Sequence, residues 1–265
     1  MAEARRGLGG QEKLSVVKTL DVRGDFKRAM GPVNMEGELQ VRIELPDKLR
    51  RDEDFSVPGG GPNVERTEVL NGTRIWDENS GRGGFVTRFG RGDGRGGGPG
   101  RGAGRAPVDP AAFEDAQRRA HRIELSRFAL VWLLATDAPA TWIGTAESPD
   151  GKADVLEVAF GGDGPLTRLF LDQISHMPLM ITWEGREPQV FVRRGQGRGT
   201  ADGPPERLSE AAQATLRMTL GEYKTVDGIK LPHRMTRGIN DMTIEEWTIG
   251  SYRINPSFKT DVFTK

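Results

Sequence analysis

Residues 154–160, DVLEVAF, open a region, 153–263, in which apolar side chains recur at every second position. In this first segment Leu156, Val158 and Phe160 fall on one face of an extended chain. Turns rich in Gly, Asn and Asp separate it from later segments of the same kind, so the pattern predicts an antiparallel meander with one buried face. The apolar positions of those later segments are Leu169 and Leu171; Met177, Leu179, Ile181 and Trp183; Leu216, Met218 and Leu220; Ile229, Leu231 and Met235; Trp247 and Ile249.

The amino-terminal region shows the same alternation in shorter runs. Strands are predicted over 19–29, 35–45 and 48–55. A further pair, 64–70 and 73–76, is predicted to form a hairpin, because Asn-Gly at positions 71–72 is the strongest two-residue turn signal in the chain. A short helix is expected within residues 7–18, where apolar residues have helical spacing.

One long helix is predicted between the two sets of strands. It should begin at Asp109-Pro110, where Asp caps the helix and Pro favours the first turn, and run to about Thr136. Its first half is polar, whereas residues 128–135, FALVWLLA, are apolar on every side. A helix without a polar face is buried all round. We therefore expect this segment to lie inside a curved sheet, in a single domain spanning 1–265.

Two segments rich in Gly and Arg interrupt the pattern, at 81–106 and 195–205. The first contains too few apolar residues to offset its ordering entropy, and we interpret it as a low-complexity loop insertion. The alternative is an RNA-binding segment, with Arg on phosphates and Phe85 and Phe89 stacking on bases. No RNA-binding fold accompanies the segment, so binding of nucleic acid is not the favoured interpretation.

Composition excludes several classes of function. The formal net charge is zero, so no overall field attracts nucleic acid or an anionic membrane. The absence of Cys excludes disulfides, thiol catalysis and Cys-ligated zinc. The densest apolar run, 128–135, is too short for a transmembrane helix, and no transmembrane segment is predicted.

The sequence contains no recognisable catalytic constellation. Three histidines, His121, His176 and His233, are far apart in the chain, and we expect neither a metal site nor a bound cofactor. His176 and His233 would meet only across the sheet. The acidic groups at 52–54 and 245–246 are expected to lie on solvated surface. The sequence therefore predicts a protein that is not an enzyme.

Five segments after the apolar helix together resemble a known family. They are ADVLEV (153–158), LFLD (169–172), HMPL (176–179), YKTVDGIKLP (223–232) and Asn255-Pro256. The combination is similar to the periplasmic lipoprotein-carrier (LolA-like) superfamily, in its outer-membrane lipoprotein-sorting branch. The resemblance is clearest over 120–265 and extends to 10–76.

The resemblance implies a mainly β (α+β) fold: one strongly curved antiparallel sheet, or incomplete β-barrel, with helices plugging the concave face. It also implies a hydrophobic cavity for acyl chains and an exported protein. Met1 is followed by Ala-Glu-Ala-Arg-Arg, without an apolar signal sequence. We interpret this start as a mature form and predict a periplasmic location; a cytoplasmic start is the alternative.

The expected function is non-catalytic binding of a hydrophobic ligand, such as an acyl chain or a lipoprotein, by a carrier or sensor. Few directional contacts are needed for such a ligand, so its site should be apolar. The same residues would equally form a filled core, in an envelope interaction module that works through a protein partner. The candidate lipid-binding residues are Leu125, Phe128, Trp132, Leu156, Val158, Leu169, Leu171, Leu179 and Ile181.

Overall fold

The computed structural model describes residues 1–30, 33–56, 63–80, 110–149, 151–160, 166–186 and 213–264. Three helices and twelve strands lie in these ranges. The helices are α1 (Ala2–Leu8), α2 (Gln11–Ser15) and α3 (Pro110–Leu133). The strands are β1 (Thr19–Met30), β2 (Val33–Glu44), β3 (Lys48–Ser56), β4 (Asn63–Asn71), β5 (Arg74–Asn79), β6 (Ala140–Ser148), β7 (Gly151–Ala159), β8 (Leu166–Asp172), β9 (Pro178–Arg186), β10 (Gln213–Val226), β11 (Ile229–Ile239) and β12 (Met242–Ile254).

All twelve strands form one antiparallel sheet in the order β5-β4-β3-β2-β1-β12-β11-β10-β9-β8-β7-β6. Two meanders, β1–β5 and β6–β12, are joined where β1 pairs with β12. The outermost strands, β5 and β6, are consecutive in the chain. Helix α3 lies in the connection between them.

The contacts of α3 show that the sheet is strongly curved. His121 Nε2 lies 3.1 Å from Asp77 Oδ1 on β5, while the guanidinium of Arg127 lies 3.8 Å from the ring centre of Trp183 on β9. Along the sheet these strands are eight spacings apart, about 38 Å at about 4.8 Å each. Residues 121 and 127 are only about 9 Å apart along the helix axis. The sheet therefore wraps around α3, as predicted.

The second half of α3 is the centre of the core. Residues 128–134 are all buried, and the rings of Phe128 and Trp132 stack at 4.6 Å. Trp132 also meets Tyr252 edge-on and donates from Nε1 to the sulfur of Met235 at 3.3 Å. The predicted apolar segment thus lies against the concave face of the sheet, packed onto β11 and β12.

The predicted amino-terminal helix is replaced by two shorter ones, α1 and α2. Gly9 and Gly10 break the helix, with φ angles of 141° and 101°. A Cβ on Gly9 would approach the carbonyl oxygen of Gly228 to 2.4 Å, so the chain turns there against the β10–β11 hairpin. Arg5 on α1 donates from Nη2 to the Leu134 carbonyl at 3.0 Å, at the carboxyl end of α3.

The predicted strands agree with those observed to within a few residues, and Gly72, with φ of 59°, forms the turn between β4 and β5. The sequence also predicts a short helical turn over 208–214, before the strand that contains Leu216. Residues 208–212 lie outside the described part of the chain, and Ala214 belongs to β10. The two Gly/Arg-rich segments, 81–106 and 195–205, also lie outside the described residues.

Candidate functional site

The candidate lipid-binding residues meet at the interface between α3 and the concave face. Eight of the nine are buried in one continuous cluster with the rest of the core. Within the described residues this cluster extends from both halves of the sheet to the apolar half of α3. The eight are Leu125, Phe128, Trp132, Leu156, Val158, Leu169, Leu171 and Ile181.

Leu179 is the exception, because its side chain is 37% exposed. The prediction placed it on the inward face with Ile181. In the structure Phe170 pairs with Met180 and Leu171 pairs with Pro178, so Leu179 has no residue opposite it on β8. This β-bulge interrupts the alternation that the prediction assumed. Leu179 is therefore not part of the concave surface.

Ion pairs are buried at one end of the same concave face. Arg28 donates from Nη1 and Nη2 to the two carboxylate oxygens of Glu53, at 3.0 and 2.7 Å. Its Nη2 also donates to Glu245 Oε1 at 2.7 Å, and Arg51 pairs with both carboxylates. Trp247 Nε1 donates to the same Glu245 oxygen at 2.7 Å. The network joins β1, β3 and β12, which are far apart in sequence.

Both carboxylates of this network are ionised. Burial by itself raises the pKa of Glu245, but the charges of Arg28 and Arg51 outweigh it and lower the pKa to about 2. Burial is likewise overcome at Glu53, whose pKa is held well below its ordinary value by Arg51 and Arg28. Neither group is protonated near neutral pH, so neither is suited to proton transfer.

The helix contributes a second charged group next to this network. Glu124 on α3 accepts a hydrogen bond from Arg237 Nη2 on β11. Arg127, about one turn further along the helix, is buried, and its guanidinium carbon lies over the ring of Trp183. Burial lowers the pKa of Arg127 to about 10; Glu124 opposes this shift and Arg237 adds to it. Arg127 is therefore still charged at neutral pH.

The prediction that the acidic groups at 52–54 and 245–246 are solvated was wrong for Glu53 and Glu245. Both are buried, because they lie on the inward side of their strands. The signal was present in the alternation: Glu53 shares a face with Leu49 and Phe55, and Glu245 with Trp247. A charged residue at an apolar register position indicates a buried ion pair, and this indication was missed.

The three histidines do not form a common site. His121 pairs with Asp77, whereas His176 Nε2 lies 3.7 Å from a carboxylate oxygen of Glu3. His233 Nδ1 lies 2.8 Å from the Ile249 carbonyl oxygen. Among the residues that the structure describes, no cluster of three or more His, Asp or Glu side chains is arranged to hold a metal ion. Within the same residues, no helix is both long and apolar enough to cross a membrane.

Solved structures define the class of this fold. The chain is similar to a LolA superfamily protein from Nitrosomonas europaea, with 10% sequence identity, coverage of 99% of this chain and 97% of that one, and a TM-score of 0.53. It is also similar to an outer membrane lipoprotein-sorting protein domain from Vibrio parahaemolyticus (11% identity, 98% and 97% coverage, TM-score 0.44). A DUF1329 family protein from Desulfovibrio piger matches with 10% identity, 98% and 94% coverage and a TM-score of 0.47.

The fold is therefore LolA-like, as the sequence resemblance implied: an open, curved antiparallel sheet with a helix across its concave face. No protein-family model matches the sequence, and no curated protein matches it either.

Proposed function

We propose that this protein is a non-catalytic, extracytoplasmic carrier or sensor that binds acyl chains of a lipid or lipoprotein between α3 and the concave face. One observation carries the proposal. Residues 128–134 of α3 are buried against a sheet that does not close, so moving this one helix uncovers a continuous apolar surface. Such a surface suits a ligand that binds through apolar contact area rather than through hydrogen bonds.

Ligand burial offsets part of the free energy lost when the helix moves. The large apolar side chains of α3 each contribute roughly 1.5–3 kcal/mol through burial. An acyl chain gains roughly 0.8 kcal/mol for each methylene that leaves water, on the order of 10 kcal/mol for a long chain before ordering costs. A ligand that binds only the open state shifts the population towards that state.

The described polar contacts of α3 join it to strands from both halves of the sheet. They include His121 with Asp77 on β5 and Glu124 with Arg237 on β11. By contrast, the buried pairs of Arg28 with Glu53 and Glu245 connect strands to strands. The strands of the sheet are thus held together by ion pairs that do not involve the helix.

An interaction module with a filled interior is the second candidate. It is favoured by the complete burial of residues 128–134 and by the exposure of apolar residues on the edge strand β6, where Trp142 is 60% exposed. In this case function would reside in surface contacts with an envelope protein partner. RNA binding through 81–106 remains a prediction on residues outside the described part of the chain.

The proposed location is the periplasm. It follows from the proposed function, because the acyl chains of sorted lipoproteins cross that compartment. Osmotic-shock fractionation of cells that express the full-length gene tests it. The protein should appear with periplasmic markers, whereas recovery with cytoplasmic markers would contradict this part of the proposal.

Lipid extraction tests the function directly. The protein, purified without detergent from its native compartment, should release acyl-chain lipid into organic solvent, detected by mass spectrometry. Titration of the delipidated protein with palmitate should increase amide hydrogen exchange in residues 128–134, because the apolar half of the helix moves away from the sheet. Absence of lipid, together with unchanged exchange in α3 at saturating palmitate, would instead support the interaction module.

A further inference from the structure

Three guanidinium groups at the concave face are buried, those of Arg28, Arg51 and Arg127. Arg28 and Arg51 form ion pairs with the carboxylates of Glu53 and Glu245.

Arg127 differs from these two residues. It is 5% exposed, and its Nε has no hydrogen-bond partner. No described residue forms an ion pair with it, since Glu124, the nearest carboxylate on the helix, is engaged by Arg237. Its direct partner is the face of Trp183, which stabilises a cation without neutralising it.

A buried charge without a counterion is costly, so its retention calls for a compensating partner. A guanidinium is suited to one class of partner, because its planar fork of donors matches a carboxylate or phosphate. An anion placed at Arg127 would supply the ion-pair partner that this guanidinium lacks among the described residues.

The place of Arg127 along the helix indicates how such an anion is presented. The preceding residues of α3 are mostly polar and include Arg119 and Arg122, with Leu125 buried, whereas residues 128–134 are all apolar and buried. Arg127 thus stands at the boundary between the two halves. An amphiphile with its charged end at Arg127 would place its chain along the surface that the apolar half covers.

We propose that Arg127 binds the anionic head, a carboxylate or phosphate, of the amphiphile whose acyl chain occupies the concave face. This inference rests on the proposed function and adds the charge of the ligand to it. Arg127 then discriminates anionic from neutral ligands of equal chain length.

Calorimetric titration of the delipidated protein tests this inference with three probes: palmitate, neutral hexadecanol and inorganic phosphate. Arg127→Met removes the charge and keeps an unbranched side chain, whereas Arg127→Lys keeps the charge. Arg119→Met is the matched control, because Arg119 lies exposed on the same helix.

Palmitate should bind the wild-type protein about tenfold or more tightly than it binds Arg127→Met, since a hydrogen-bonded charge pair is lost. Hexadecanol should bind both proteins alike, Arg127→Lys should retain part of the preference, and Arg119→Met should behave as wild type. The melting temperature of Arg127→Met should not fall, because the variant removes an uncompensated buried charge. A merely structural role would instead lower it.

Each other outcome has a defined meaning. Equal binding of palmitate and hexadecanol by the wild-type protein overturns the role of Arg127 and leaves acyl-chain binding in place; this comparison needs no variant. Binding of inorganic phosphate that depends on Arg127, with no added affinity for palmitate, supports an anion site and overturns acyl-chain binding. Binding of none of the three probes overturns both.

Discussion

Arg28 and Glu245 are 217 residues apart in the chain, yet Nη2 of Arg28 donates to Oε1 of Glu245 at 2.7 Å in a site closed to solvent. They stand opposite each other on β1 and β12, the two strands that join the meanders into one sheet. Glu53 on β3 occupies the other side of the same guanidinium. The ends of the chain are thus connected by a buried charge network as well as by backbone hydrogen bonds.

Removal of one partner from this network should strongly destabilise the fold. We expect Arg28→Met to lower the free energy of unfolding by about 3–5 kcal/mol, because Glu53 and Glu245 are then left buried with reduced compensation. The measurement is urea denaturation at pH 7. The control is Lys27→Met, which breaks the largely exposed pair of Lys27 and Glu36 and should cost less than about 1 kcal/mol. Equal losses in the two variants would show that the buried network is not a special source of stability.

Stability should fall with acidification because of the same carboxylates. The folded-state pKa of Glu245 is about 2, below its ordinary value of 4.5. Its contribution to the free energy of unfolding is therefore complete above pH 4.5 and is lost as the pH falls towards 2. The pKa of Glu53 is lowered in the same direction. Urea denaturation at intervals between pH 6 and pH 3 should show that the free energy of unfolding of the wild-type protein decreases. The decrease should be smaller in Glu245→Gln. Parallel curves for the two proteins would contradict this assignment.

Leu169 lies in the concave surface, whereas Leu179 lies outside it, so this pair of residues tests which surface binds the ligand. Leu169→Ala should lower the free energy of unfolding by about 2–5 kcal/mol, because the side chain is fully buried in the core. Leu179→Ala, on the neighbouring strand but at the bulge, should cost less than about 1 kcal/mol. Palmitate affinity should change in Leu169→Ala and stay unchanged in Leu179→Ala. A larger effect of Leu179 on either quantity would place the ligand on the opposite face of the sheet.

Arg5 should hold the carboxyl end of α3 in place. Its Nη2 donates to the Leu134 carbonyl at 3.0 Å, where a cation is favoured by the helix dipole. Arg5→Met should lower the free energy of unfolding by about 1 kcal/mol and increase amide hydrogen exchange in the last turn of α3. It should also accelerate association with palmitate, because the helix opens more often.

Arg6→Met is the matched control for Arg5. The Arg6 side chain is 74% exposed and makes an ion pair of 3.6 Å with Glu3 on the same helix. Neither exchange nor association should change in this variant. Faster exchange in both variants would attribute the effect to α1 as a whole rather than to the Arg5–Leu134 contact.

Much of the fold was predictable because its signals are local. The alternation in 154–160 and the Asn71-Gly72 turn each predict structure from neighbouring residues, and the strands found there agree. The apolar run 128–135 predicted a buried helix, and residues 128–134 are buried. Leu179 could not be placed, since a bulge is set by pairing with β8 and leaves no mark in β9 alone. Gly9 was also misjudged, because its conformation depends on contact with Gly228.

The amino-acid sequence alone determined which segments extend, where they turn and which helix must be buried, because side-chain periodicity and turn chemistry act over a few residues. Tertiary structure decided which charges meet. The alternation places Glu53 and Glu245 on inward faces, but only the order of β1, β3 and β12 in the sheet brings both to Arg28. Tertiary structure also left Arg127 without a direct ion pair among the described residues, because Glu124 pairs with Arg237. Ion pairing across a sheet depends on register and order of strands, which no single segment of the chain contains.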